Sequence, residues 1–138
     1  MSFRIARTWS YSFGRYVPCR PEEKGTYRDT DNLLAWHSAE LWYTFHSLRE
    51  GVPPCRPWEE TDYRLADQMS TYWANFIKTG DPNEGGTVCG YDLPKWPESR
   101  ENWGWMLFSE EPEGKEGLDG IDRLALEMIR REGKYPEI

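Results

Sequence analysis

The stretch Thr61-Asp62-Tyr63-Arg64-Leu65-Ala66-Asp67-Gln68-Met69-Ser70-Thr71-Tyr72-Trp73-Ala74-Asn75-Phe76-Ile77-Lys78 decides the fold. Leu65, Ala66, Met69, Tyr72, Trp73, Phe76 and Ile77 recur at i, i+3, i+4 and i+7, the spacing of one helix face. Asp62, Arg64, Asp67, Gln68 and Lys78 take the other face. Thr61 is the expected N-cap with Asp62 in the first turn, and Gly80 followed by Pro82 supplies the stop. Its aromatic face reads as core rather than as a cofactor site.

Upstream, Thr8-Trp9-Ser10-Tyr11-Ser12-Phe13 alternates polar and aromatic residues with period two, a half-buried strand that Gly14 lets the chain leave. From Tyr16 to Asp31 no period is kept, and a surface loop is expected. The loop leads to Leu34-Ala35-Trp36-His37-Ser38-Ala39-Glu40-Leu41, which holds one of the two histidines of the chain. Ser38 reads as a helix N-cap and Glu40 as a first-turn carboxylate, with Leu41, Phe45 and Leu48 forming the inward face. Arg49-Glu50-Gly51 and Pro53-Pro54 close that helix. His37 would then sit just outside a pinned helix. That position suits a general base, which needs a fixed imidazole; it suits a hydrogen-bonded structural histidine better, on the local residues alone. His46 falls away from the apolar face and is expected at the solvent side. His37 with Glu40 supplies only two of the ligands a metal would need.

Downstream, four Gly and three Pro make Gly80 to Pro97 irregular, with Leu93-Pro94-Lys95-Trp96-Pro97 able to dock by its apolar side chains. Trp103-Gly104-Trp105-Met106-Leu107-Phe108 reads as a short buried strand, Gly104 marking a bulge or a close backbone approach. Residues 110–138 form a charged tail in which Leu118, Ile121, Leu124, Ala125, Met128 and Ile129 sketch a C-terminal helix ending near Gly133, with Pro136 beyond.

The 138 residues are one domain's worth, and 38% hydrophobic with 15% aromatic content is enough for a core. Eight Trp are many for this length and hint at a missing partner surface. A net charge of −7 without basic runs speaks against nucleic acid and anionic membranes as partners. Cys19, Cys55 and Cys89 form neither a zinc site nor a full disulfide framework; a Cys19–Cys55 bridge is open, with reduced thiols the default. Met1 to Arg7 lacks the apolar core of a secretory signal, which favours a cytoplasmic location while leaving room for a signal on upstream sequence.

Three blocks carry a resemblance: Leu34-Ala35-Trp36-His37-Ser38-Ala39-Glu40-Leu41-Trp42-Tyr43-Thr44-Phe45, then Asp62 through Gly80-Asp81-Pro82-Asn83, then Leu93-Pro94-Lys95-Trp96-Pro97. In order and approximate spacing they resemble the C-terminal part of type-B carboxylesterases, the cholinesterase-like α/β hydrolases, over roughly Trp9 to Pro97. The resemblance implies a fold class of α/β, the C-terminal fragment of an α/β-hydrolase fold with a few strands and two or three amphipathic helices, residues 1–138 forming a single partial domain. It also implies that His37 is the catalytic histidine of a Ser, Asp/Glu, His triad, delivered by the loop after the strand at Trp9 to Phe13. The chain has no Gly-x-Ser-x-Gly elbow and no Gly-rich oxyanion loop, and the family's triad acid that precedes the histidine is absent, so alone it is expected to be inert. The implied partners are the remainder of the esterase catalytic domain and, in the parent, a small-molecule ester, with no cofactor and with possible self-association of the isolated piece. The alternative is a non-enzymatic helical interaction module.

Overall fold

A computed structural model of the chain describes residues 6–131 apart from 54, 88, 89, 101 and 119. Strand β1 (Ser10–Phe13) lies parallel to β2 (Trp105–Phe108), with Ser10 opposite Trp105 and Phe13 opposite Phe108. Strand β3 (Glu113–Lys115) runs antiparallel to β2, so the sheet order is β1-β2-β3. The helices are α1 (Thr30–Leu33), α2 (Leu41–Thr44), α3 (Glu60–Thr79) and α4 (Gly120–Arg131), and Pro21–Glu23 forms a 3-10 turn. Among the described residues no helix is long and apolar enough to cross a membrane.

The alternation in β1 turns its aromatic residues to one side, where the rings of α3 and α2 meet them. Trp9 lies against Phe76 at 5.7 Å, Tyr11 against Trp73 at 5.2 Å and Phe13 against Tyr43 at 5.2 Å. Met106 and Phe108 of β2 are fully buried on the same side, with Leu65, Met69 and Tyr72 of α3. The Leu93-to-Pro97 segment docks as expected. Trp96 is buried, its ring within 5.4 Å of those of Tyr72, Trp73 and Phe108, and its Nε1–H donates to the Ser10 carbonyl at 2.9 Å. Asn83 fixes that loop from both sides: its Oδ1 accepts the Trp96 N–H at 2.7 Å and its Nδ2 donates to the Trp96 carbonyl at 3.0 Å.

Helix α3 runs one residue beyond the expected stretch at each end, and Gly80 closes it in the left-handed region, φ 81°, its N–H donating to the Phe76 carbonyl. The start differs. Glu59, not Thr61, is the N-cap, and its backbone N–H donates to Asp62 Oδ2 at 2.9 Å. The faces differ too. Asp62 and Gln68, expected outside, are buried, while Phe76 is 48% and Ile77 80% exposed. The apolar stripe is therefore rotated, because two polar side chains find partners inside: Asp62 an arginine and Gln68 the Asp92 carbonyl at 3.2 Å.

Two other expectations are corrected. The Tyr16-to-Asp31 loop contains the 3-10 turn and the start of α1, and a buried Glu23 carboxylate in it takes Arg20 and Arg56 at 3.0 Å each. The tail from residue 110 begins with β3, whose only strong cue, Gly114, is needed for close approach: a Cβ there would lie 2.6 Å from the Lys95 carbonyl oxygen. Gly104 serves the expected close approach, since a Cβ there would lie 2.6 Å from the Glu98 carbonyl oxygen. Cys19 and Cys55 are free thiols; Cys89, Gly133 and Pro136 lie outside the described residues.

This packing sets a contrast. Phe108→Ala opens space under α3 at a fully buried ring and should cost about 3–5 kcal/mol. Ile77→Ala, on the outward turn of the same helix, should stay within about 0.5 kcal/mol. Urea unfolding of both variants reads the difference.

Candidate functional site

His37 does not precede a long helix. Residues 37–40 form a turn and α2 is a single turn, so the expected Ser38 N-cap is not found. Ser38 adopts φ 69°, its carbonyl accepting the Leu41 N–H at 3.3 Å, and His46 at φ 50° ends the segment on the other side. Two left-handed residues bracket the segment and stop helix propagation. The expected inward face changes with it: Leu41 is 43% and Phe45 72% exposed, while Ala39, Tyr43 and Leu48 are buried.

The turn is held from behind while His37 faces water. Its side chain is exposed and has no hydrogen-bond or ion-pair partner among the described residues, so the hydrogen-bonded structural histidine is not what the structure contains. On either side of it Trp36 and Trp42 meet edge to face at 5.4 Å, and Trp42 meets Trp58 at 5.5 Å, forming a wall of indoles. Glu40 is half-buried without a capping hydrogen bond, and its charge, after burial, is a second cause of the raised Tyr11 pKa. His46 is at the solvent side as expected, paired with Asp67 at 2.6 Å. Among the described residues no three His, Cys, Asp or Glu side chains are placed to hold a metal ion.

The residues that fix this turn were not singled out in the sequence. Tyr43, fully buried, donates its phenol O–H to Asp62 Oδ1 at 2.8 Å. Arg15, at the exit of β1, donates to the same carboxylate from Nε at 2.8 Å and from a terminal nitrogen at 3.3 Å. With the Glu59 N–H this gives Asp62 four donors inside the protein. Arg15 also reaches the outer carboxylates of Glu59 and Glu110, each at 2.9 Å. Burial opposes the Arg15 charge, but the hydrogen bond and charge of Asp62 outweigh it and raise the guanidinium pKa further. Burial first, and then Asp62, raises the Tyr43 phenol pKa, so it stays a donor at any physiological pH. Only the position of Arg15 after a Gly-terminated strand hinted at this clasp. The pairing itself spans most of a helix and two loops.

A second feature lies apart from His37. A cleft of about 300 Å³ is lined by Trp9, Tyr11, Trp73, Phe76 and Trp96, with Arg7 stacked 4.6 Å over the Trp9 ring. No residue of the 36–46 segment lines it. It answers part of the question the tryptophan content raises: three indoles line this cleft, and three others, Trp36, Trp42 and Trp58, pack on one another in the segments flanking His37 and α3.

Two expectations follow. Asp62→Asn takes from the Arg15 guanidinium its one buried counter-charge, leaving it the outer carboxylates of Glu59 and Glu110, and should cost about 3–5 kcal/mol, against about 1–3 kcal/mol for Tyr43→Phe, which removes one donor and keeps the ring; both are read by urea unfolding. The Glu23 carboxyl is held down to about 2 by the hydrogen bond from the Arg20 side chain first and by the Arg20 N–H and Arg56 as well. A depressed carboxyl stabilises the fold above its unfolded pKa of about 4.3 and loses that contribution as pH falls towards 2. The midpoint of thermal unfolding should therefore drop over that interval, less steeply in Glu23→Gln.

Comparison with known proteins agrees with the geometry. The family model described as the carboxylesterase family matches residues 2–120. Mouse carboxylesterase 1E is 30% identical over 103 residues, covering 73% of this chain and 15% of that protein. Human neuroligin-2 is 35% identical over 77 residues, 54% of this chain and 8% of that one. A Geobacillus stearothermophilus carboxylesterase superposes on 87% of this chain and 22% of its own with a TM-score of 0.60 at 24% identity. The chain thus spans about a seventh or less of the curated relatives it matches. It belongs to the carboxylesterase family, and its sheet and helices are a portion of an α/β-hydrolase fold.

Proposed function

We propose that this chain is the C-terminal part of a serine carboxylesterase and that His37 is the general base and acid of its triad. One observation carries the reading: in a carboxylesterase-family chain, His37 is an exposed imidazole with no partner among the described residues, on a turn clasped from behind. A structural histidine would be buried in hydrogen bonds; an imidazole that must exchange protons with a nucleophile and a leaving group needs both faces free and its backbone fixed.

In this reading the rest of the esterase domain brings the nucleophilic serine and the orienting acid, and its partner surface is the exposed and unpaired side of the β1 sheet. His37 accepts the hydroxyl proton as the serine oxygen attacks the ester carbonyl, then gives that proton to the departing alkoxide. In the second half it takes a proton from water, whose oxygen attacks the acyl carbon, and returns the proton to the serine oxygen as the acid product leaves. The chain alone lacks the bond-forming oxygen, so it should not turn over.

The isolated chain should give neither burst nor turnover of an aryl acetate above a His37→Ala control. Stoichiometric labelling of one of its serines by a serine-directed phosphonate would overturn the reading. In the full-length parent His37→Ala should lower kcat by several orders of magnitude, about 10³-fold or more. Retained activity there would assign the base elsewhere. Neuroligin-2, a relative not named as an esterase, keeps a second reading in view, a non-enzymatic interaction module. An intact parent that lacks a Gly-x-Ser-x-Gly elbow would favour it.

A further inference from the structure

His37 has no side-chain partner among the described residues, so its backbone alone places the imidazole. The short helix that follows it closes through two bonds: the Ser47 N–H donates to the Trp42 carbonyl at 2.8 Å and the His46 N–H to the Tyr43 carbonyl at 3.1 Å. Together they make a Schellman motif with His46 at C′, its backbone at φ 50°. That position favours glycine, because a Cβ is strained in the left-handed region. Packing does not offset the strain, since His46 is exposed. What the imidazole gains is a bond: its Nε2 lies 2.6 Å from Asp67 Oδ1 on α3.

This bond is a second tie between the His37 segment and α3. The first is the buried Tyr43 O–H, which donates to Asp62 Oδ1 at 2.8 Å. Tyr43 and His46 are three residues apart, and Asp62 and Asp67 five, about 7.5 Å along the helix axis. One tie leaves a segment free to pivot about it; two, spaced along a rigid helix, remove that rotation. A base acts only within hydrogen-bond reach of the proton it takes, so a turn that pivots loses the productive geometry.

We propose that His46 is a positioning residue: paired with Asp67, it makes the second tie that holds the His37 turn in register on α3. The proposal rests on the reading of His37 as the triad base. The side chains of the pair are 52% and 39% exposed, so the tie is modest, and its loss should cost a few-fold in rate rather than orders of magnitude.

Two variants remove the tie without weakening the fold. His46→Gly relieves the C′ residue and Asp67→Ala introduces the better helix former, so neither should lower the midpoint of thermal unfolding. In the full-length parent each should lower kcat for an aryl acetate about two- to fivefold with KM unchanged. The swap His46→Asp with Asp67→His rebuilds the pair, with an aspartate that tolerates C′, and should recover most of that loss. In the isolated chain, where no triad is needed, Asp67→Ala should speed hydrogen exchange of the Ala39 and Leu41 amides, which close the turn onto the Trp36 and Ser38 carbonyls, and leave those of Leu65 and Met69 as they were. Unchanged exchange at Ala39 and Leu41 overturns the tie itself. Unchanged kcat in both variants, beside an inactive His37→Ala, overturns the positioning role and leaves the triad reading standing. So does a fall in kcat that tracks a fall in the thermal midpoint, which makes the pair only structural, or a rise in KM alone, which moves it to substrate binding. A parent in which His37→Ala keeps full activity overturns both.

Discussion

The arrangement depends on one buried carboxylate. Asp62 accepts from Arg15, Tyr43 and the Glu59 backbone, and each donor belongs to a different segment: the exit of β1, the turn of helix after His37, and the start of α3. Burying an aspartate alone would be prohibitive. Burying it with a guanidinium and two further donors is tolerable because every lone pair is used. What such a site contributes is less net stability than uniqueness of placement. A sliding α3 or a rotated α2 would leave a charge unpaired in the interior. The exposed histidine is fixed in space by a group that does not touch it.

Around that clasp the core is aromatic rather than aliphatic. Trp96 sits in the middle, with ring contacts to Tyr11, Tyr72, Trp73 and Phe108 and a hydrogen bond to the edge strand. Edge-to-face rings fill space with few rotatable bonds, so a loop without regular structure can be ordered by one indole. The Gly-rich segment before it can stay irregular because Asn75 and Asn83 accept and donate to its backbone in place of a ladder.

Much of the architecture was legible in the residues. The 3.6-residue period gave α3 and α4, the two-residue period gave β1, and an apolar run gave β2, because in each the dominant force is burial of one face. Polar residues that go inside escaped that reasoning. The same period points Asp62 and Gln68 outward, since a pattern of hydrophobicity cannot say that a carboxylate will find an arginine 47 positions away. The spacing after His37 predicts a longer helix because side-chain periodicity does not reveal that Ser38 and His46 take left-handed backbone conformations. His37 itself stood out only as a histidine at a boundary. Its exposure is a property of the packed turn and not of its neighbours in sequence.

The pairing of β1 with β2 has a bearing on how the chain is made. The strand at Ser10 to Phe13 leaves a ribosome long before its only partner in the described sheet, Trp105 to Phe108. Closing so long a loop is slow in comparison with winding α3, which needs only near neighbours. Until that partner emerges the strand has no ladder, and its aromatic side is uncovered unless α3 settles on it first through Trp73 and Phe76. Nascent chains of this kind are natural clients for holdase chaperones.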